Sequence, residues 1–224
     1  MDKIYVSPSI LSADFSRLGK EVSRVVSCGA DTIHFDVMDN HYVPNLTVGP
    51  GVLKSLRRYG ISIQIDVHLM IRPVCDRLIL DFINSGANCI IFHPEVSDNI
   101  VKSLRLIRKY GCKAGLAISP NVSLDFINDF INEIDIILIL SVNPGFSNQT
   151  FLLSSVKKIK QAKILIEKSG LDIDLSVDGG INIKNVSDVA CLGVNILVIG
   201  SAIFDRSDYL RVMKEIRNKL KNFL

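Results

Sequence analysis

The chain is short of cysteines, of long apolar runs and of charge imbalance, and each shortage closes off a class of protein. Its five cysteines, Cys28, Cys75, Cys89, Cys112 and Cys191, are odd in number and widely spaced, and none forms a Cys-x-x-Cys pair. They offer neither a disulfide framework nor a zinc knuckle, which fits a reducing, cytoplasmic setting. Cys28, Cys89 and Cys191 lie in apolar or glycine-flanked segments and read as small core residues. The longest apolar run, Ile136 to Leu140, is strand-sized, far below the ~20 residues of a membrane span. Met1-Asp2-Lys3 leads into a short apolar stretch without a basic region or a cleavage-like site, unlike a signal peptide. The 26 basic residues nearly balance 23 acidic ones, which argues against a nucleic-acid surface. The one basic cluster, Arg211, Lys214, Arg217, Lys219 and Lys221, has the spacing of a terminal helix's solvated face. There is no linker, low-complexity stretch or second domain.

What is present is one pattern, repeated. A short apolar run, a polar or Gly/Pro turn and a segment with helical spacing recur eight times. The apolar runs are Ile4–Leu11, Thr32–Met38, Ser62–Met70, Cys89–His93, Lys113–Ile118, Ile136–Val142, Ile173–Val177 and Ile196–Ile199. Between them, apolar residues recur at three and four: Phe15, Leu18, Val22, Val25 in the first segment, Phe126, Ile127, Phe130 in the fifth, and Leu210, Met213, Ile216, Leu220 in the last. Gly29, Gly60, Gly86, Gly111, Gly170 and Gly193 follow such segments, where a helix C′ glycine belongs. Continuous apolar strands belong to a parallel sheet covered on both faces. Eight unbroken β–α units predict a single α/β domain over 1–224, a (β/α)8 TIM barrel, with a doubly wound open sheet as the alternative.

The active face of such a barrel is the C-terminal end of its strands. The second run ends on His34 and Asp36, which share a strand face because they stand two apart. The third carries His68 and the seventh leads into Asp178. Two imidazoles and two carboxylates make a borderline donor set for Zn, Mn, Fe or Co, one divalent ion per subunit. His41, in the loop after the second run, and His93, ahead of Pro94, are weaker ligand candidates. Gly179-Gly180 and Gly200-Ser201 follow the last two strands, where barrels often bind phosphate on backbone N–H groups. The loop Asn143–Gln149 is rich in turn formers and suits a lid. Met38 and Met70 occupy matching places past the ligand-bearing strands and suit a pocket lining. No lysine stands at a strand end, which counts against a decarboxylase-type barrel.

Six ordered motifs then carry a resemblance: Ser7-Pro8-Ser9-Ile10-Leu11, His34 to Asp39, Val43-Pro44-Asn45, Asp66 to Met70, Asn143-Pro144-Gly145-Phe146 and Val177-Asp178-Gly179-Gly180. The chain resembles the ribulose-phosphate 3-epimerase family. The resemblance implies a metal-dependent isomerase that interconverts the pentulose 5-phosphates D-ribulose 5-phosphate and D-xylulose 5-phosphate in the pentose phosphate pathway. It implies His34, Asp36, His68 and Asp178 as metal ligands, Asp36 and Asp178 as the acid/base pair, and Ser9 and His68 as substrate contacts. It gives substrate and phosphate to Gly145, Phe146, Ser147, Asn148, Asp178, Gly179, Gly180, Gly200 and Ser201, and implies a homo-oligomer. Exchange of the C3 proton on opposite faces of the sugar needs two carboxylates and an acidified C–H, hence a metal-stabilised enediolate. Two departures stand out. Ser147 and Asn148 replace glycines of the family's usual loop, and Leu140 replaces a third lining methionine. Asparagine tolerates left-handed backbone better than most residues. Rival readings are a hexulose 6-phosphate epimerase and a non-catalytic binding barrel.

Overall fold

Eight runs of buried aliphatic residues form one parallel sheet: β1 (Tyr5–Pro8), β2 (Ile33–Met38), β3 (Ile65–Met70), β4 (Cys89–Phe92), β5 (Lys113–Ile118), β6 (Ile136–Leu140), β7 (Asp174–Asp178) and β8 (Ile196–Ile199). The computed structural model describes residues 3–221; residues 1–2 and 222–224 of the expected 1–224 barrel lie outside the described residues. The strands pair in the order β1-β8-β7-β6-β5-β4-β3-β2. The sheet closes between β1 and β2 through a parallel bridge, Ser9 with His34, and through the Asp31 N–H, which donates to the Val6 carbonyl at 3.0 Å. Every residue of β2 and β3 is buried, as a sheet covered on both faces requires.

The cover is helical. It consists of α1 (Leu18–Ser27), α2 (Pro50–Arg58), α3 (Asp76–Asn84), α4 (Ile100–Lys109), α5 (Ser155–Ser169), α6 (Val186–Ala190), α7 (Ser201–Phe204) and α8 (Tyr209–Leu220). Each turns its spaced apolar residues inward: α1 buries Leu18, Val22 and Val25, and α8 buries Val212, Met213, Ile216 and Leu220. Pro50 opens α2, where its missing N–H costs nothing. The Asn99 and Asp208 side chains accept N–H groups in the first turns of α4 and α8. All six expected helix-ending glycines take positive φ. Among the described residues no helix is long and apolar enough to cross a membrane.

Four expectations need correction. The first run does not stay extended to Leu11: the strand stops at Pro8, and Ile10–Ser12 is a 3-10 turn whose Leu11 N–H donates to Ser9 Oγ at 3.3 Å. The fifth helical segment forms two 3-10 turns, Asp125–Asp129 and Ile131–Glu133, instead of an α-helix. Asn128, Asp129 and Asn132 interrupt it, residues that compete with helical hydrogen bonding. Cys89 is buried as expected, but Cys28 is only half-buried and Cys191 is exposed, while Cys112 is the second buried thiol. Arg217 is not on a solvated face. It is half-buried and donates from α8 to the carbonyls of Ile4 (3.1 Å) and Gly29 (2.9 Å), and it pairs with Asp31.

Candidate active site

The β2 pleat sends His34 and Asp36 to the barrel interior. The register between strands sets Asp36 opposite His68 on β3, and Asp178 closes β7 opposite Leu140. One donor atom from each of His34, Asp36, His68 and Asp178 can be chosen so that all four lie within 4.8 Å of one another. His34 Nε2 is 3.2 Å from Asp36 Oδ1, 3.8 Å from Asp178 Oδ2 and 3.3 Å from His68 Nδ1, and His68 Nδ1 is 3.2 Å from Asp36 Oδ1. A tetrahedral site with bonds of ~2.0–2.1 Å has donor–donor edges of roughly 3.4 Å. The geometry and the donor chemistry therefore fit a divalent cation. His41 takes no part: it lies in the loop after β2, its N–H donating to Asp39 Oδ1.

The two carboxylates occupy different electrostatic settings. Asp36 is buried, which alone would raise its pKa, but the neighbouring imidazoles of His34 and His68 hold it far below the usual carboxylate range. Its Oδ1 faces those rings, while its Oδ2 accepts the Ser9 hydroxyl at 2.6 Å. Asp178 is pushed up to about 7, first by loss of hydration and then by the charge of Asp36, with His34 opposing. Its side chain keeps 20% exposure, against 3% for Asp36. Burial lowers His34, but the charges of Asp36 and Asp178 outweigh it and raise the imidazole to about 9. Burial lowers His68, and holds His93 well below the ordinary imidazole value. A carboxylate that keeps its charge beside one that keeps its proton is the pattern of an acid/base pair.

A cleft above this cluster exposes Ser9, Asp36 and Asp178 on its floor and brings Met38, Met70 and Leu140 to its wall. Gly145 to Asn148, Gly179, Gly180, Gly200 and Ser201 also line it. His34 and His68 sit beneath the floor, 1% and 0% exposed. Close packing sets the rim. A methyl on Gly180 would stand 2.2 Å from the Phe151 backbone nitrogen, and one on Gly200 would stand 2.8 Å from Ser12 Oγ. The Ser141 hydroxyl faces the carbonyls of Asp178 (2.9 Å) and Gly179 (2.6 Å) and binds β6 to the loop after β7. Asn148 adopts φ +60°, a left-handed conformation that asparagine tolerates better than most residues.

Several contacts that shape the site join segments that no local spacing pairs. Gln149 Nε2 donates to the carbonyls of Asn143 (2.6 Å) and Phe146 (2.9 Å) and folds the loop after β6 on itself. Asn45 Nδ2 donates to the Gly145 carbonyl at 2.8 Å and ties the loop after β2 to the loop after β6. Thr47 braces the end of β2, donating to the Asp36 carbonyl and accepting the Met38 N–H. His93 does not join the four donors but packs against His68 from behind.

The model of the Ribulose-phosphate 3 epimerase family matches residues 5–204. Ribulose-phosphate 3-epimerase of Escherichia coli K12 is 50% identical over 220 residues, covering 98% of this chain and 97% of that protein. The enzyme of the same name from Buchnera aphidicola subsp. Schizaphis graminum is 52% identical over 222 residues, covering 99% and 97%. Among solved structures, KGPDC from Streptococcus mutans superposes with a TM-score of 0.73 at 13% identity, with 99% of both chains covered. A 3-hexulose-6-phosphate synthase superposes at 0.67 and 15%, covering 97% of this chain and 99% of that one. These two share the fold alone. The full-length identities and the family match together place the chain: it belongs to the ribulose-phosphate 3-epimerase family.

Proposed function

We propose that the chain interconverts D-ribulose 5-phosphate and D-xylulose 5-phosphate by removing the C3 proton on one face of the sugar and returning one on the other. The observation that carries this reading is the pair Asp36 and Asp178, two carboxylates that meet at the floor of one cleft. Asp36, steadied by the Ser9 hydroxyl, accepts the proton in one direction, and Asp178 delivers one on the other face. In the reverse direction the roles exchange.

His34, Asp36, His68 and Asp178 would hold one divalent ion, of zinc, iron, manganese or cobalt. Such an ion supplies Lewis-acid stabilisation to negative charge on the sugar oxygens. Met38, Met70 and Leu140 keep the wall apolar and exclude water from the reacting carbon. The rim at Gly145–Asn148, Gly179–Gly180 and Gly200–Ser201 receives the phosphate, since helix-start and glycine N–H groups suit an anion. Five free cysteines fit a cytoplasmic enzyme of the pentose phosphate pathway, and the family membership supports a homo-oligomer. The test is a coupled assay on ribulose 5-phosphate before and after chelation, then with each metal returned. Turnover that is absent, or indifferent to complete metal removal, overturns the reading.

A further inference from the structure

We infer that His93 fixes the tautomer of His68, and so decides which nitrogen of that ring is free to take a cation. The inference rests on the ligand set proposed above and concerns a residue outside it. His93 follows β4 and is fully buried. Its ring meets that of His68 edge to edge, with centroids 5.1 Å apart and planes 29° apart. The two Nε2 atoms are 3.0 Å apart. A hydrogen bond between two ring nitrogens needs one proton between them, so the only open question is which ring carries it.

The ligand role of His68 answers it. His68 Nδ1 is the atom that faces Asp36 Oδ1 and His34 Nε2. If that nitrogen is to offer a lone pair, the His68 proton must sit on Nε2, deep in the barrel, where an unpaired N–H is costly. His93 Nε2 is the acceptor placed to receive it. His93 must then carry its own proton on Nδ1, and that atom lies 3.2 Å from Ser119 Oγ on the strand-5 side. Both buried N–H groups are thereby satisfied while Nδ1 stays free. In the reverse direction His68 would carry its proton on Nδ1, donating to Asp36 Oδ1 at 3.2 Å, and would have no lone pair to offer a cation. The Tyr42 ring, 5.0 Å from that of His93, and the Tyr42 hydroxyl bonded to Glu95 Oε1 at 2.6 Å hold the arrangement from the loop side. His93 is thus a positioning residue, acting on the cation through His68.

The test pairs two substitutions with a measurement on the unaltered chain. His93→Phe keeps an aromatic ring and removes the acceptor; His93→Gln returns a polar acceptor. Cobalt(II) affinity, read by chelator competition, should fall roughly 10–100-fold in His93→Phe, as outer-shell losses do, and recover in part in His93→Gln. Affinity and cobalt absorption spectrum unchanged in His93→Phe would overturn the inference, and so would equal losses in both variants, which mark packing alone. Nitrogen-15 spectra of the metal-free unaltered chain should show His68 protonated on Nε2 and His93 on Nδ1; the opposite pair of tautomers overturns it even where neither variant folds. Failure of the unaltered chain to bind cobalt would instead remove the ligand set, while the nitrogen-15 measurement still decides the tautomers.

Discussion

Replacing Asp178 by asparagine keeps the volume of the side chain and removes its capacity to carry a proton. The carboxyl sits at the end of β7, with Oδ2 3.8 Å from His34 Nε2 and a fifth of the side chain exposed (20%) to the cleft. A positioned acid or base contributes about 10²–10⁴ in rate, about 2.7–5.4 kcal/mol at 1.36 kcal/mol per tenfold. With metal in excess, so that a weakened ligand set stays filled, epimerisation should fall at least about a hundredfold. The loss should also be lopsided. Asp36 remains buried, charged and bonded to Ser9, so the epimer whose C3 proton faces Asp36 should still exchange it with heavy water without inverting. Asp36→Asn should spare exchange in the opposite epimer. Each pure epimer is incubated in heavy water, and C3 deuterium and inversion are followed separately. Turnover within about tenfold of the unaltered enzyme, or exchange lost from both epimers in each variant, refutes the assignment of one carboxylate to each face.

Gly180→Ala sets a methyl 2.2 Å from the Phe151 backbone nitrogen at a residue with φ +67°. The left-handed backbone alone costs about 1–2 kcal/mol, so the melting temperature should drop by several degrees and KM should rise more than kcat falls; an unchanged KM detaches this loop from substrate binding. Asn148→Gly should leave stability within about 0.5 kcal/mol and KM unaltered, because φ +60° suits glycine, whereas Asn148→Val should raise KM; identical KM in both shows that the loop does not touch the sugar phosphate. Ligands must lose their protons to bind a cation. His34, raised to about 9, and Asp178, raised to about 7, both carry protons in the metal-free site below those values. Calorimetry in buffers of different ionisation heat should show about one proton released near pH 8 and close to two near pH 6, with affinity falling as pH falls; a release that does not change with pH contradicts these proton affinities.

The barrel was legible because each strand is a local run, and β5 and β8 fall on the expected residues. The donor cluster was legible for a related reason: period-two alternation puts His34 and Asp36 on one face whatever the rest of the chain does. What depends on the pairing of distant segments was not. Asn45 reaches the Gly145 carbonyl across 100 residues, and no local spacing marks an asparagine as the tie between two loops. His93 shows the same limit in the other direction. Its place at a strand end made it visible, but its partnership with His68 follows only from β3 lying beside β4. The fifth helical segment misled because three-and-four spacing says which face is apolar, not whether the intervening Asn and Asp residues let a helix close.

The junction between β1 and β2 differs from the other seven, which are regular ladders. At one end Asp31 accepts the Val6 N–H at 2.7 Å and pairs with Arg217. At the other end Ser9 bridges His34 and bonds Asp36. His34, Asp36 and His68 stand on one side of that junction and Asp178 on the other, so an ion held by all four acts as the clasp of a hoop. Whatever binds the closed hoop and not the open chain adds its binding energy to folding, about 4 kcal/mol at a thousandfold excess over Kd. Cation supply would then govern how firmly the barrel stays shut, and a metal-starved chain would loosen first at Ser9 and His34, the residues that bridge the junction.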